Sequence, residues 1–178
     1  IETDFGGFSG SNTMLRIRQA YVNLDWGKSA VLVGITWHPL FGAVMPDVLN
    51  LSTGAPFQPF NRSPQIRYQY KANSRVQLTA SVLWQLQYLS SGPKGMSEDY
   101  IKNSCIPEMF VGADFTPADG WLMGLGAHMI SLKPRTSTEW KEQTFKVNER
   151  MTAFSYEAHL KYSGRNYTFA AKTLMASA

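Results

Sequence analysis

The sequence lacks any run of about eighteen apolar residues, so no stretch of it predicts a transmembrane helix. Charged residues are scarce, at 17% of the 178 residues, where about a quarter is usual. Cys105 is the single cysteine, which excludes an internal disulfide, and its neighbours supply no ligand set for zinc. The net charge of +4 is weak and scattered along the chain, so we expect no nucleic-acid partner.

Sequence patterns of catalysis are missing as well. The chain has no Gly-x-Ser-x-Gly nucleophile elbow and no glycine-rich phosphate loop. His38, His128 and His159 fall on different predicted strands and have no metal-ligand spacing. We therefore predict no enzymatic activity, no metal and no cofactor.

Apolar and polar residues instead alternate over long stretches, most clearly from Val76 to Tyr88. Successive side chains of a strand point to opposite faces, so this pattern predicts a strand. Its thirteen residues exceed the usual soluble strand of about five or six residues and are enough for a tilted membrane strand of about nine to eleven. The polar face of this strand is typical of a water-filled lumen and carries Gln77, Thr79, Ser81, Gln85 and Gln87.

The same alternation predicts eight strands in all, near residues 13–25, 29–38, 65–71, 76–88, 108–115, 121–129, 154–162 and 167–173. Short turns rich in Gly, Pro, Asn and Asp alternate with long connections at roughly 39–63, 91–104 and 134–146. Short periplasmic turns and long external loops are typical of an outer-membrane barrel. We predict one all-β domain over residues 1–178, a segment of an antiparallel transmembrane up-and-down β-barrel.

Aromatic residues are predicted at both ends of the strands. Tyr70, Trp121, Tyr162 and Tyr167 fall beside short turns, whereas Trp37, Trp84 and Tyr88 fall beside long loops. Two such sets suit the two interfaces of a membrane, where amphipathic rings prefer to lie. The alternative is that these aromatics form the core of a soluble β-sandwich.

Three stretches resemble a known family. Residues 61–68 (Asn-Arg-Ser-Pro-Gln-Ile-Arg-Tyr), 17–22 (Ile-Arg-Gln-Ala-Tyr-Val) and 33–41 (Val-Gly-Ile-Thr-Trp-His-Pro-Leu-Phe) are similar to strands around the third loop of DcaP-like trimeric porins. The resemblance implies sixteen strands, a homotrimer and a third loop that folds into the lumen. Eight strands would then be about half a barrel, and we expect parts of the parent chain to be missing. A closed eight-stranded barrel, with an interior packed by side chains, is the competing interpretation.

The candidate constriction is segment 39–63, where four prolines disfavour regular strand pairing. Phe41, Phe57 and Phe60 are expected to anchor it against the inner wall, and Asp47 to face arginines across the pore. An exposed external flap is the alternative. The predicted pore-lining residues are Arg16, Arg18, Arg67, Gln69, Lys71, Gln85, Glu108, Asp114, His128, Glu157, His159 and Lys161.

The arginines of this set predict a transverse field that favours small anionic solutes such as dicarboxylates, a preference that the resemblance also implies. The alternative is that Arg16, Arg18 and Arg67 pair with Glu108, Asp114, Glu149 and Glu157 and only hold the wall.

The predicted function is passive diffusion of small polar solutes through the outer membrane of a Gram-negative bacterium. A non-conducting barrel for adhesion or anchoring is the second hypothesis. If Ile17 and Tyr21 face outward, Gln19 and Asn23 share that face of the first predicted strand, and buried amides there would suit a trimer contact. The alternative is a slipped register or a bulge. Arg150 is predicted outward and beside a long loop, where it would either meet lipopolysaccharide phosphates or be a rim residue with no partner.

Overall fold

The computed structural model describes residues 1–9, 12–41, 44, 61–86 and 89–177, which form an all-β, antiparallel fold. The strands are β1 (Glu2–Ser9), β2 (Asn12–Asp25), β3 (Ser29–Trp37), β4 (Arg62–Lys71), β5 (Val76–Leu83), β6 (Ser90–Gly92), β7 (Gly95–Ser97), β8 (Glu108–Phe115), β9 (Trp121–Leu132), β10 (Ser137–Trp140), β11 (Gln143–Lys146), β12 (Met151–Ser163) and β13 (Thr168–Ala176). Nine of them pair in one sheet in the order β1-β2-β3-β4-β5-β8-β9-β12-β13. Within the described ranges this sheet is open, with β1 and β13 at its edges, and no closed barrel forms.

The long connections carry small elements of their own. A 3-10 turn, Pro39–Phe41, follows β3. The next connection holds the hairpin β6–β7 and the helix α1 (Asp99–Ser104), and the last holds the hairpin β10–β11. No helix in the described part of the chain is long and apolar enough to cross a membrane.

Two strand predictions were wrong in detail. Segment 2–9 forms β1, which the sequence pattern did not predict. This strand is held to β2 by ion pairs of Glu2 and Asp4 with arginines of β2. The strand predicted from Val76 to Tyr88 ends at Leu83. Beyond that point the half-buried Trp84 packs against the cluster formed by α1 and the end of β9.

The two faces of the sheet differ sharply in chemistry. One row of directly paired residues runs Val33, Ile66, Val82, Met109, Met129 and Phe154 across six strands, and it is apolar throughout. The opposite face has the row Lys71, Gln77, Asp114, Gly124, His159 and Lys172. We call the first the outer face and the second the inner face.

Exposure is inverted relative to a soluble protein. On the outer face Val82 is 42% exposed, Tyr156 53% and Leu125 67%. On the inner face Gln65 is 5% exposed and Glu157 4%. The polar side chains thus lie on the covered face and the apolar ones on the exposed face. A soluble β-sandwich requires the reverse arrangement.

A register shift explains the weak alternation of the first predicted strand. The pairing of β1 with β2 slips between Glu2 and Thr3, so residues on either side of the slip change face. After it Val22 lies opposite Val33 on the outer face. Gln19 accepts a 2.7 Å hydrogen bond from the buried Thr36 hydroxyl and is therefore on the inner face. The expectation that Gln19 faces outward was wrong, so this residue no longer supports a trimer contact.

Aromatic rings gather at the end of the sheet that carries the short turns. The ring centroids of Trp121 and Tyr162 are 4.7 Å apart, and those of Tyr162 and Tyr167 are 5.6 Å apart. At the other end Trp37 and Trp84 are half-buried against neighbouring loop elements, and Tyr88 lies outside the described residues.

Candidate functional site

The chain turns back onto the inner face directly after β3. Residues 38–41, which we call the inner turn, are buried, and the Phe41 N–H donates to the His38 carbonyl at 2.9 Å. Leu40 packs with Leu83 of β5 and Phe110 of β8. The Phe41 ring stacks on Trp37 with centroids 4.8 Å apart. The described start of the candidate constriction therefore lies against the inner wall.

A cavity of about 410 Å³ lies beside the inner turn and is lined by both the turn and the sheet. Residues of β3, β4, β5, β8, β9 and β12 contribute to its wall. Its polar and charged lining consists of Thr36, His38, Arg67, Gln69, Gln77, Thr79, Asp114, Glu157 and His159.

A buried cluster joins the inner turn to the sheet. Glu108 Oε2 lies 3.4 Å from His38 Nε2 and 3.1 Å from His128 Nε2, and all three side chains are buried. The register brings this about, because Glu108 begins β8 and His128 lies on the adjacent strand β9. His38 and His128 have no metal-ligand spacing in the sequence, yet the fold brings both rings to the same carboxylate.

The three side chains are close enough together to hold a metal ion. However, His38 Nδ1 accepts a 3.1 Å hydrogen bond from the Leu40 N–H, which assigns the proton of the neutral ring to Nε2. Burial lowers the pKa of His38 and so favours this neutral ring. His38 Nε2 is therefore a donor to Glu108, and its lone pair is not free for a metal.

The third histidine, His159 of β12, lies between two carboxylates. Its Nε2 is 3.1 Å from Asp114 Oδ1, and its Nδ1 is 3.1 Å from Glu157 Oε2. Gly124 lies opposite His159 in the register, and a Cβ there would come within 2.2 Å of the imidazole Cε1. The glycine thus makes the space that the ring occupies.

The two inner-face cations nearest the inner turn bind neutral acceptors. Arg67 donates to the Trp37 carbonyl at 2.6 Å and to Gln65 Oε1 at 2.7 Å. Lys172 donates to the carbonyls of Leu40 and Phe41, at 2.7 and 2.5 Å. Among the described residues, neither cation has a carboxylate within salt-bridge distance.

The arginines predicted on the first strand pair with acids of β1. Arg16 binds Asp4 at 2.7 Å, and Arg18 lies 3.1 Å from Glu2 and 3.3 Å from Asp4. Both arginines therefore hold two strands of the wall together, as the alternative to the anion hypothesis predicted. Their partners are acids of β1, whereas that alternative named Glu108, Asp114, Glu149 and Glu157.

The other predicted pore-lining residues divide into four groups. Gln69, Asp114, Glu157 and His159 line the cavity with Arg67, while Glu108 and His128 are buried in the cluster beneath the inner turn. Gln85 lies beyond the end of β5, where its amide donates to Ser90 Oγ at 2.7 Å. Lys71 and Lys161 lie on strands of the sheet near the short turns and do not line the cavity. Of the predicted anchors Phe41 is in the inner turn, whereas Asp47, Phe57 and Phe60 lie outside the described residues.

Sequence reasoning missed Lys172 as a site residue. It is the one residue of β13 that is not exposed. A signal was present, because Lys172 is the lone charge in the apolar run from Tyr167 onward. Its contacts with a turn 131 and 132 residues earlier could not be read from that run.

Comparisons with protein-family models, with curated proteins and with solved structures find no match for this chain. The chemistry of the two faces of the sheet therefore carries the functional conclusion.

Proposed function

We propose that this protein is a porin of a Gram-negative outer membrane that lets small polar solutes diffuse passively. The observation that carries the proposal is the inverted sheet, with Val82, Leu125 and Tyr156 exposed on one face and Gln65 and Glu157 covered on the other. In water, contiguous apolar patches beyond a few hundred Å² are rare on soluble proteins. Against lipid such a face is what a barrel wall requires.

The aromatic cluster at the short-turn end supports the same orientation. Trp121, Tyr162 and Tyr167 are grouped at one level of the sheet, where the strands β9, β12 and β13 meet their turns. Rings with a polar tip are stabilised at the headgroup level of a bilayer. We assign this end to the periplasmic interface, and the end with the longer loops to the lipopolysaccharide side, where Arg150 is exposed just before β12.

A bilayer also requires the two sheet edges to be paired. Backbone groups without hydrogen-bond partners cost several kcal/mol each in hydrocarbon, so β1 and β13 need neighbouring strands. We further propose that the complete barrel has sixteen strands and that three barrels form a homotrimer. We also propose that segment 39–63 narrows the lumen, since the described inner turn lies on the inner wall.

Charge favours anionic solutes such as dicarboxylates. Asp114 and Glu157 on the cavity wall each contact His159, and the buried Glu108 contacts two histidines. Arg67 binds neutral acceptors, so its charge is less compensated by neighbours. A narrow passage focuses such a charge onto a permeating ion, and a guanidinium matches a carboxylate geometrically.

The test is ion selectivity in planar lipid bilayers under a KCl gradient. The wild-type protein is expected to conduct with a reversal potential that favours chloride, and Arg67→Gln is expected to move this potential toward potassium. Arg75→Gln is the control, because Arg75 is exposed in the turn between β4 and β5. A cation-selective wild type would remove the anion assignment. A folded protein without conductance would remove the porin and favour a barrel for adhesion or anchoring.

A further inference from the structure

We propose that Lys172 is a positioning residue that fixes the inner turn across the lumen and so sets the width of the channel. This inference rests on the proposed porin function and adds to it a residue that controls the size of the solute. Lys172 does not line the cavity itself, so it would act through the inner turn.

The contacts of Lys172 single it out among the residues of its strand. The other residues of β13 are exposed, whereas Lys172 is half-buried. Its ammonium donates to the carbonyls of Leu40 and Phe41 and lies 5.5 Å from the centroid of the Phe41 ring. Both carbonyls belong to buried residues, and buried carbonyls need a donor. A lysine can supply both bonds because an ammonium has three N–H groups.

The inner turn is held at two separate places on the sheet. It leaves β3, the third strand in sheet order, and meets Lys172 on β13, the ninth. Between them His38 binds Glu108 at the start of β8. The turn therefore bridges the inner face between β3 and β13, and Lys172 fixes the end of the turn at β13.

A structural brace and a width-setting residue differ in what they change. A brace would affect only the stability of the sheet, whereas a positioning residue alters what the open channel admits. Lys172→Met keeps the length of the side chain but cannot donate, while Lys172→Arg restores donors. Lys161→Met removes the same charge from the inner side of the neighbouring strand β12, and no described contact joins Lys161 to the inner turn.

The first experiment measures the exclusion limit of proteoliposomes with neutral sugars of increasing size, so that charge effects are removed. Lys172→Met is expected to admit larger sugars and to raise single-channel conductance. Lys172→Arg is expected to behave like the wild type, and Lys161→Met to keep the wild-type exclusion limit. An unchanged exclusion limit in Lys172→Met would overturn the proposal.

The second experiment follows the inner turn without relying on conduction. The exposed Cys105 is first removed by Cys105→Ser. Pro39→Cys then places a single thiol in the buried inner turn. Adding Lys172→Met is expected to raise the maleimide labelling rate about tenfold or more, since a hydrogen bond from a charged donor shifts an equilibrium by about that factor. An unchanged labelling rate would refute the role of Lys172 in holding the inner turn. Faster labelling of a protein that never conducts would support that role but would refute the proposed porin function.

Discussion

A lysine placed on the outer face distinguishes a membrane wall from a soluble surface. Leu125 of β9 is suitable because it is 67% exposed and lies between Ala113 and Ala158 on the adjacent strands. Four residues separate it from Trp121, which is about 13 Å along a strand and about 10 Å in depth at a tilt of about 40°. If the outer face meets lipid, an apolar band about 25 Å tall would put Leu125 near the middle of the bilayer.

Leu125→Lys is therefore expected to lower the free energy of unfolding by about 2–4 kcal/mol in lipid vesicles, as charged residues do at the midplane of a barrel. On a soluble surface the same change would cost at most about 0.5 kcal/mol. Phe145→Lys is the control, because Phe145 is 46% exposed in the hairpin β10–β11, which is outside the main sheet. The assay is reversible guanidinium unfolding in vesicles followed by tryptophan fluorescence. Equal and small losses for both variants would refute the assignment of the outer face to lipid.

Two further substitutions test the inner face by thermal melting in detergent. Glu108→Gln removes the carboxylate that two buried histidines share and is expected to cost about 3 kcal/mol. Glu98→Gln, which breaks an exposed pair with Lys102, is expected to change almost nothing, and similar losses for both would contradict the buried cluster. Gly124→Ala would place a Cβ within 2.2 Å of the His159 ring and 2.5 Å of Asp114 Oδ1, so a loss of about 1–3 kcal/mol is expected from overpacking. A wild-type melting temperature for Gly124→Ala would show that His159 does not occupy this space.

The alternation of the sequence predicted the sheet because the period of two is a local property of each strand. The strands after β3 keep the predicted faces, with Ile66 and Val82 outward and Gln65 and Ser81 covered. β1 was missed because its residues become a strand only through pairing with β2, and the two acids that join it to Arg16 and Arg18 give no periodic signal.

The contacts across the inner face could not be predicted in the same way. His38 and Glu108 are 70 positions apart in the chain, and the sequence contains no spacing rule that would join them. Their approach depends on where the chain turns after β3. The register shift in β2 is a similar case, because a single slipped pair reverses every face after it, and so Gln19 was placed on the wrong side.

A nitroxide scan along β9 tests the central claim most directly. Single cysteines in a Cys105→Ser background would be spin-labelled in lipid vesicles, at Met123, Leu125 and Ala127 on the outer face and at the half-buried Leu122 on the inner face. We expect the three outer-face labels to collide mainly with molecular oxygen dissolved in lipid, and the label at Leu122 to collide mainly with a water-soluble nickel chelate. A reversed pattern, or chelate access at Leu125 equal to that at Leu122, would contradict the assignment of the outer face to lipid.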